Sequence, residues 1–366
     1  MKTPESIPWL APETGRAEYA FIRQALDGNF VNEGPLASLL EKRFQSLLKV
    51  EHAVTANSGT TAIFLALKAV GVGPGDEVIV PDLAFIATAN AVTLTGARPV
   101  LVDIEPGTLT VSVPAAERAI TRRTRAIVPV HVSGRAADMT RVIAMARRHK
   151  LAVVEDAAEA LGSKCHGEFL GTLGDAGCFS LSANKVVSAG LGGVVVTRNV
   201  EVFRKLRLLK DQGRPVRGTG GADRHETIGF NFRFTDLQAG YALGQMMRFP
   251  RRVARMRRNH RIYRRELAGI PGISVFGSQK GEIPMWTDAL AERRDELVER
   301  LKIQNIDCRK YWFPIHTQPP YRRPGTPFPV SARLSPKALW LPSAFNMTDP
   351  QVLRVCREIR RFYRRG

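Results

Sequence analysis

Little in this chain can build a metal centre or a covalent scaffold. Among 366 residues there are four cysteines, Cys165, Cys178, Cys308 and Cys356, and no two stand in CxxC spacing. That excludes the usual zinc and disulfide frameworks. His149, His166, His225 and His260 likewise fall at no metal-ligand spacing, so no metal is expected. No apolar run reaches the roughly 18–20 residues that a membrane helix needs. The opening "MKTPESIPWLAPETG" lacks the apolar core of a signal peptide, which leads to the expectation of a cytoplasmic protein with no membrane partner. No repeat or low-complexity tract is visible.

Negative charge is also scarce. The chain carries 34 acidic residues against 54 lysines and arginines, a net charge of +20. Much of the excess lies in "RRVARMRRNHRIYRREL" (251–267), where Val253, Met256, His260, Tyr263 and Leu267 recur every three or four residues. That spacing is an amphipathic helix with a solvated basic face. Because no zinc finger, RNP-type strand or recognition-helix pattern accompanies it, no nucleic-acid partner is expected. A general attraction for anionic substrates is the better reading.

Between about residues 50 and 200, short Val/Ile strands alternate with helical stretches. "DEVIVP" (76–81), "RPVLVDI" (98–104), "RAIVPVHV" (125–132), "LAVVEDAA" (151–158), "AGCFSLS" (176–182) and "GGVVVTR" (192–198) read as strands. "SGTTAIFLALKAVG" (58–71), "ATANAVTLTGA" (87–97) and "DMTRVIAMARRHK" (138–150) read as helices. Continuous apolar strands separated by helices predict an α/β fold with a mostly parallel central sheet. Further on, "VEVFRKLRLLKDQG" reads as a helix and 214–226 as a Gly/Arg-rich loop. One long helix follows over 235–268, interrupted at Pro250, then "ERRDELVERLKIQN" (292–305) and a last helix. The expected division is a large domain with an N-terminal arm over 1–250 and a smaller C-terminal α/β domain over 251–366.

In such sheets ligands bind beyond the carboxyl ends of the strands, and three features fall there. "NSGTTA" (57–62) joins a strand to a helix, with small residues that let backbone N–H groups approach a phosphate and hydroxyls on Ser58 and Thr60. Asp156 ends the strand "LAVVED" and can hold a protonated ring nitrogen or cap a helix. Lys185, 29 residues on, follows "FSLSAN" and precedes a Gly-Leu-Gly-Gly bend. Its amine can form a Schiff base if its neighbours depress its pKa.

Cradle, acid and lysine, in that order, resemble the fold-type I (aspartate aminotransferase-like) pyridoxal-phosphate enzymes. More specifically, "ANSGTTAIFLALKAVGVGPGDEVIVPDLAFIATANAV", "VVEDAAEALGS", "GTLGDAGCFSLSANK", "GFNFRFTDLQAGYALGQ" and "FPIHTQPPY" resemble the DegT–StrS group of sugar-nucleotide aminotransferases across nearly the whole chain. The resemblance implies pyridoxal 5'-phosphate, passing through its pyridoxamine form. It assigns Lys185 to cofactor attachment and proton transfer, and Asp156 to the pyridine nitrogen. Phe85 would stack on the ring, Glu159 would lie near its 3-oxygen, and Ser58, Gly59, Thr60 and Ser180 would hold the phosphate. Asn231 would reach the phosphate of a neighbouring subunit, which implies a homodimer with shared active sites. Trp286 and His316 fall at substrate positions.

The implied reaction moves an amino group from L-glutamate to a keto sugar carried on a nucleotide, for amino-sugar and polysaccharide biosynthesis. Three departures accompany the resemblance. Leu191 stands where relatives often carry an acid, Leu161 where many carry histidine, and Pro284-Met285-Trp286 with Asp288 replaces an aromatic pair. They leave open a keto sugar acid without a nucleotide. A related dehydratase branch uses histidine in place of the lysine, so Lys185 counts against it; a non-catalytic basic nucleic-acid-binding protein is the remaining alternative.

Overall fold

The computed structural model describes residues 5–215, 223–322, 325 and 327–364; part of the expected Gly/Arg-rich loop, 216–222, lies outside these. Seven strands form the central sheet: β1 (His52–Ala56), β2 (Glu77–Pro81), β3 (Arg98–Val102), β4 (Thr124–Ile127), β5 (Ala152–Asp156), β6 (Ala176–Ser180) and β7 (Gly193–Thr197). Their order is β1-β7-β6-β5-β4-β2-β3. β2 to β6 are mutually parallel, and β7 alone runs antiparallel to its neighbours. The mostly parallel α/β architecture expected from the Val/Ile runs is therefore present. β2 and β7 are buried along their whole length, as a sheet covered on both faces requires.

Several strands end earlier than their apolar runs suggest, for local reasons. The run 125–132 splits at Ile127, after which the Pro129 carbonyl accepts from the Asp156 amide and the chain tightens into a 3₁₀ turn at Val132–Gly134. Ser133 sits there at φ 52°, and its amide is taken by Glu159. The expected long helix is two, Asp236–Met246 and Phe249–Leu267. Pro250 lies in the first turn of the second, where its missing N–H costs nothing.

Two N-terminal helices, Arg16–Asp27 and Pro35–Leu48, were not apparent in the sequence. Both pack on Asp236–Met246. Gly244 permits the approach, since a Cβ there would meet the Glu18 amide at 2.6 Å. Asp236 accepts from the amides of Gly34, Leu36 and Ala37 and so caps the Pro35–Leu48 helix from 200 residues away.

A second sheet of β8 (Ile273–Val275), β9 (Asp288–Ala291), β10 (Arg309–Lys310) and β11 (Ala338–Trp340) has the order β8-β9-β11-β10. Its apolar face forms a separate core with the Arg294–Ile303 and Asp349–Arg364 helices. Ile7 inserts into that core and pairs with Ile306, so the start of the chain is anchored on the second unit.

The carboxyl end of β5 is held by Glu155, which is wholly buried. One oxygen accepts from the Leu173 and Gly174 amides at 2.7 Å, the other from Gly171 and His131 Nε2 at 2.8 and 2.9 Å. Glu155→Ala strands these donors and should lower stability by about 3–5 kcal/mol. Urea unfolding measures it; a loss below about 1 kcal/mol would show that the cluster does not secure the strand end.

Candidate active site

Ser58 is the N-cap of the helix Gly59–Ala69: its hydroxyl accepts from the Thr61 amide and its carbonyl takes that of Ala62. Helix geometry leaves the Gly59 and Thr60 amides as orphan donors at the helix N-terminus, where an anion is favoured. Two glycines allow the crowding. A Cβ on Gly59 would meet Ser180 Cβ at 2.9 Å, and one on Gly193 would meet the Ser58 carbonyl oxygen at 2.3 Å. Ser180, at the end of β6, shares a 3.0 Å hydrogen bond with Ser182, so two hydroxyls stand beside the orphan amides.

These residues open on a cavity of about 260 Å³ that Phe85, Asp156, Glu159, Lys185 and Trp286 also line. Asp156 is buried at the tip of β5, fixed by the Thr88 hydroxyl at 2.6 Å and the Ala158 amide at 3.1 Å. Lys185 is 11% exposed; its Nζ lies 3.4 Å from Glu159 and 4.7 Å from the centre of the Trp286 ring. Burial pushes the Glu159 carboxyl above the ordinary range, against the opposing pull of Lys185. Trp286 Nε1 is buried without a hydrogen-bond partner among the described residues, leaving a donor in the cavity wall. Phe85 is half exposed and tilts towards Trp312, with ring centres 6.4 Å apart.

The cavity thus brings together Ser58, Gly59, Thr60, Phe85, Asp156, Glu159, Ser180, Lys185 and Trp286. It does not include the other two expected residues. Asn231 is exposed and its Oδ1 accepts from Arg233. His316 donates its amide to Asp82, pairs with it again through Nδ1 at 2.7 Å, and stacks on Phe328. Buried Asp82 needs those partners, and they draw the imidazole away from the cavity.

Asp288, one of the departures noted in the sequence, lies buried and forms a two-pronged pair with buried Arg135 at 2.6 and 2.7 Å. Tyr311 donates to the same carboxylate. Burial opposes the guanidinium charge, yet Asp288 and Tyr311 outweigh it and raise the Arg135 pKa. Met285 is also buried, and Leu161 packs in the core.

Sequence reasoning missed an aromatic wall. All four tryptophans of the chain meet here: Trp9–Trp286, Trp286–Trp340 and Trp312–Trp340 have ring centres 5.3, 5.2 and 4.9 Å apart. Arg309 lies over Trp9 and Trp340 and lines the cavity. Trp312 adjoins the quoted "FPIHTQPPY" stretch and was the one findable signal.

The donor set fits pyridoxal phosphate: orphan amides and hydroxyls for a phosphate, a buried carboxylate for a ring nitrogen and an amine for an aldehyde. Comparison with known proteins agrees. A model of the DegT/DnrJ/EryC1/StrS aminotransferase family matches residues 12–360. The chain belongs to that family. It is therefore a pyridoxal-phosphate-dependent sugar aminotransferase. GDP-perosamine synthase of Caulobacter vibrioides is 36% identical over 358 residues, 94% of this chain and 95% of that protein. The Escherichia coli O157:H7 protein of the same name is 34% identical over 98% of both. Among solved structures, S. venezuelae DesV superposes with a TM-score of 0.90 at 34% identity over 95% of each chain. DesI, determined in the presence of its TDP-sugar product, gives 0.91 at 31% identity over 100% of this chain and 94% of that one.

Removing one partner of the Arg135–Asp288 pair leaves a buried charge uncompensated. Asp288→Ala should destabilise the protein by about 3–5 kcal/mol. Thermal and urea unfolding test this, and parental stability in the variant would refute the structural role.

Proposed function

We propose that the enzyme transfers an amino group from L-glutamate to a keto sugar carried on a nucleoside diphosphate, working as a homodimer with shared active sites. The observation that carries the reading is the placement of Lys185, an enclosed amine between the Glu159 carboxyl and the Trp286 face, in one cavity with Asp156 and the Gly59–Thr60 amides. Bound there, pyridoxal phosphate supplies the carbonyl that accepts the amine and the conjugated ring that delocalises electrons.

The chain's own residues do the rest. Gly59 and Thr60 amides with the Ser180 hydroxyl hold the phosphate, and Asp156 keeps a proton on the pyridine nitrogen. The Thr88 and Ala158 hydrogen bonds fix that carboxylate without neutralising it. Glu159, which accepts from the Ser133 amide and from Nζ of Lys185, would lie beside the ring oxygen and hold the amine in place. Phe85 and Trp286 line the cavity in which the ring would lie, and Nζ of Lys185 would take up and return the proton at the reacting carbon. Asn231, exposed in its own chain, would serve the partner's site through its side-chain amide.

The nucleotide-linked acceptor is supported by relatives: one is named for a GDP-linked sugar and another was determined with a TDP-sugar product. Arg309 at the cavity wall adds positive charge suited to a diphosphate. We place residues 1–250 in a cofactor-binding domain and 251–366 in a smaller one.

The purified protein should be yellow and lose that colour on adding L-glutamate. Lys185→Ala should lower turnover by a factor of about 10³ or more, with folding unchanged; near-parental turnover would overturn its role. A panel of GDP- and dTDP-linked keto sugars and free keto sugar acids should show amination of the nucleotide-linked set. Preference for the free acids would refute the acceptor class. Mixing inactive Lys185→Ala and Asn231→Ala chains should restore activity through one intact site per mixed dimer, and no recovery would exclude shared sites.

A further inference from the structure

The basic helix Phe249–Leu267 is not explained by the transamination site. Most of its arginines are occupied. Arg251 and Arg252 pair with Glu13, Arg255 and Arg258 with Asp349, and Arg265 with Glu266. Among the described residues, no ion pair involves Arg257, Arg261 or Arg264. Their spacing of four and three residues puts all three on one helix face. That face, with Ser278 and Glu282 of the facing loop, lines a surface groove of about 480 Å³.

His260 lies in the same groove. It is only 6% exposed, yet among the described residues neither ring nitrogen has a hydrogen-bond partner. Buried polar groups are normally satisfied, so an orphaned imidazole beside three unpaired guanidinium groups marks a place for an acceptor. Burial holds this imidazole's pKa down at about 4, which leaves one ring N–H to donate and one nitrogen to accept at neutral pH. Glu282 does not supply the missing anion. Its two oxygens already accept from the Ala136 and Gln279 amides at 2.9 and 2.6 Å. Arg264 rests against the loop backbone: a Cβ on Gly277 would meet its Nη1 at 2.7 Å.

We infer that this groove is a second binding site, separate from the cofactor cavity, for a small phosphoanion carrying two or more negative charges, such as a diphosphate group. Arg257, Arg261 and Arg264 supply forked donors matched to phosphate oxygens, and His260 supplies the neutral hydrogen bond at the floor. A concave site lined by one helix face and one short loop suits a small molecule better than a nucleic-acid backbone, which needs an extended basic track. The inference does not depend on which sugar the enzyme aminates.

The test is titration of the cofactor-loaded enzyme with inorganic pyrophosphate by calorimetry, with arginine modification by phenylglyoxal read by mass spectrometry. Pyrophosphate is expected to bind and to protect Arg257, Arg261 and Arg264 from the reagent, with saturating nucleotide-linked sugar present to occupy the cofactor cavity. Exposed Arg257→Gln and Arg264→Gln should each weaken binding at least roughly tenfold, while KM for the sugar stays the same. Absence of protection, or equal pyrophosphate affinity in the double variant, overturns the site. Binding of a short DNA duplex without binding of pyrophosphate overturns the ligand class.

Discussion

The site depends on two adjacent carboxylates at the tip of β5. Successive side chains on a strand point to opposite faces, so Glu155 and Asp156 cannot serve the same side of the sheet. Glu155 turns into the protein, where three amides and His131 consume its lone pairs and tie the 171–174 turn beneath the strand end. Asp156 turns to the cavity, where only Thr88 and Ala158 hold it. The first makes the position of the second rigid. A one-residue slip of β5 would exchange the two sides, putting the stapling carboxylate in the cavity and Asp156 in the core.

Around that point, buried charges are handled in pairs. Arg135 is matched by Asp288, and Lys210 is enclosed by Glu33 and the Thr55 carbonyl and hydroxyl. Such pairs add little stability over apolar contacts, but losing one partner is severe, so they fix geometry more than they strengthen it. Arg135, in the segment after β4, and Asp288, in β9 of the second sheet, are joined in this way, while the Ser133 hydroxyl accepts from Trp340 and meets Tyr311. The wall of the cavity is thus carried by a polar cluster that spans both sheets.

What the sequence made legible follows contact range. The strands were readable because a sheet covered on both faces demands unbroken Val/Ile runs, and their ends were misjudged where the ladder is interrupted, as after Ile127, beyond which pairing with the neighbouring strand resumes as a single bridge between Val130 and Asp156. The residues that line the cavity were readable because strand ends and helix starts are adjacent in the chain: Ser58 with Gly59, Asp156 with Glu159, Ser180 with Lys185. The two N-terminal helices were not, since Gly240 and Gly244 mark a close approach only once the partner helix is known. The structural role of Asp288 was not readable because its partner is 153 residues away. Trp9, Trp312 and Trp340 are gathered only by folding.

The bend after Lys185 shows why the acceptor side of the cavity differs from its cofactor side. Leu191 is 64% exposed at the rim, and its carbonyl is held by the Gln238 side chain at 3.1 Å, so the backbone there is fixed whatever side chain it carries. An acid at that position would add a third carboxylate to a lining that already has Asp156 and Glu159 against Lys185 and Arg309. Leucine keeps the lining balanced, two acids against two bases. Asp156 and Glu159 are committed to the cofactor side in the proposed arrangement, which leaves Arg309 as the charge that an incoming substrate meets. In a partly enclosed site, where charges are screened less than in water, that balance favours a diphosphate and disfavours an acceptor whose only charge is positive.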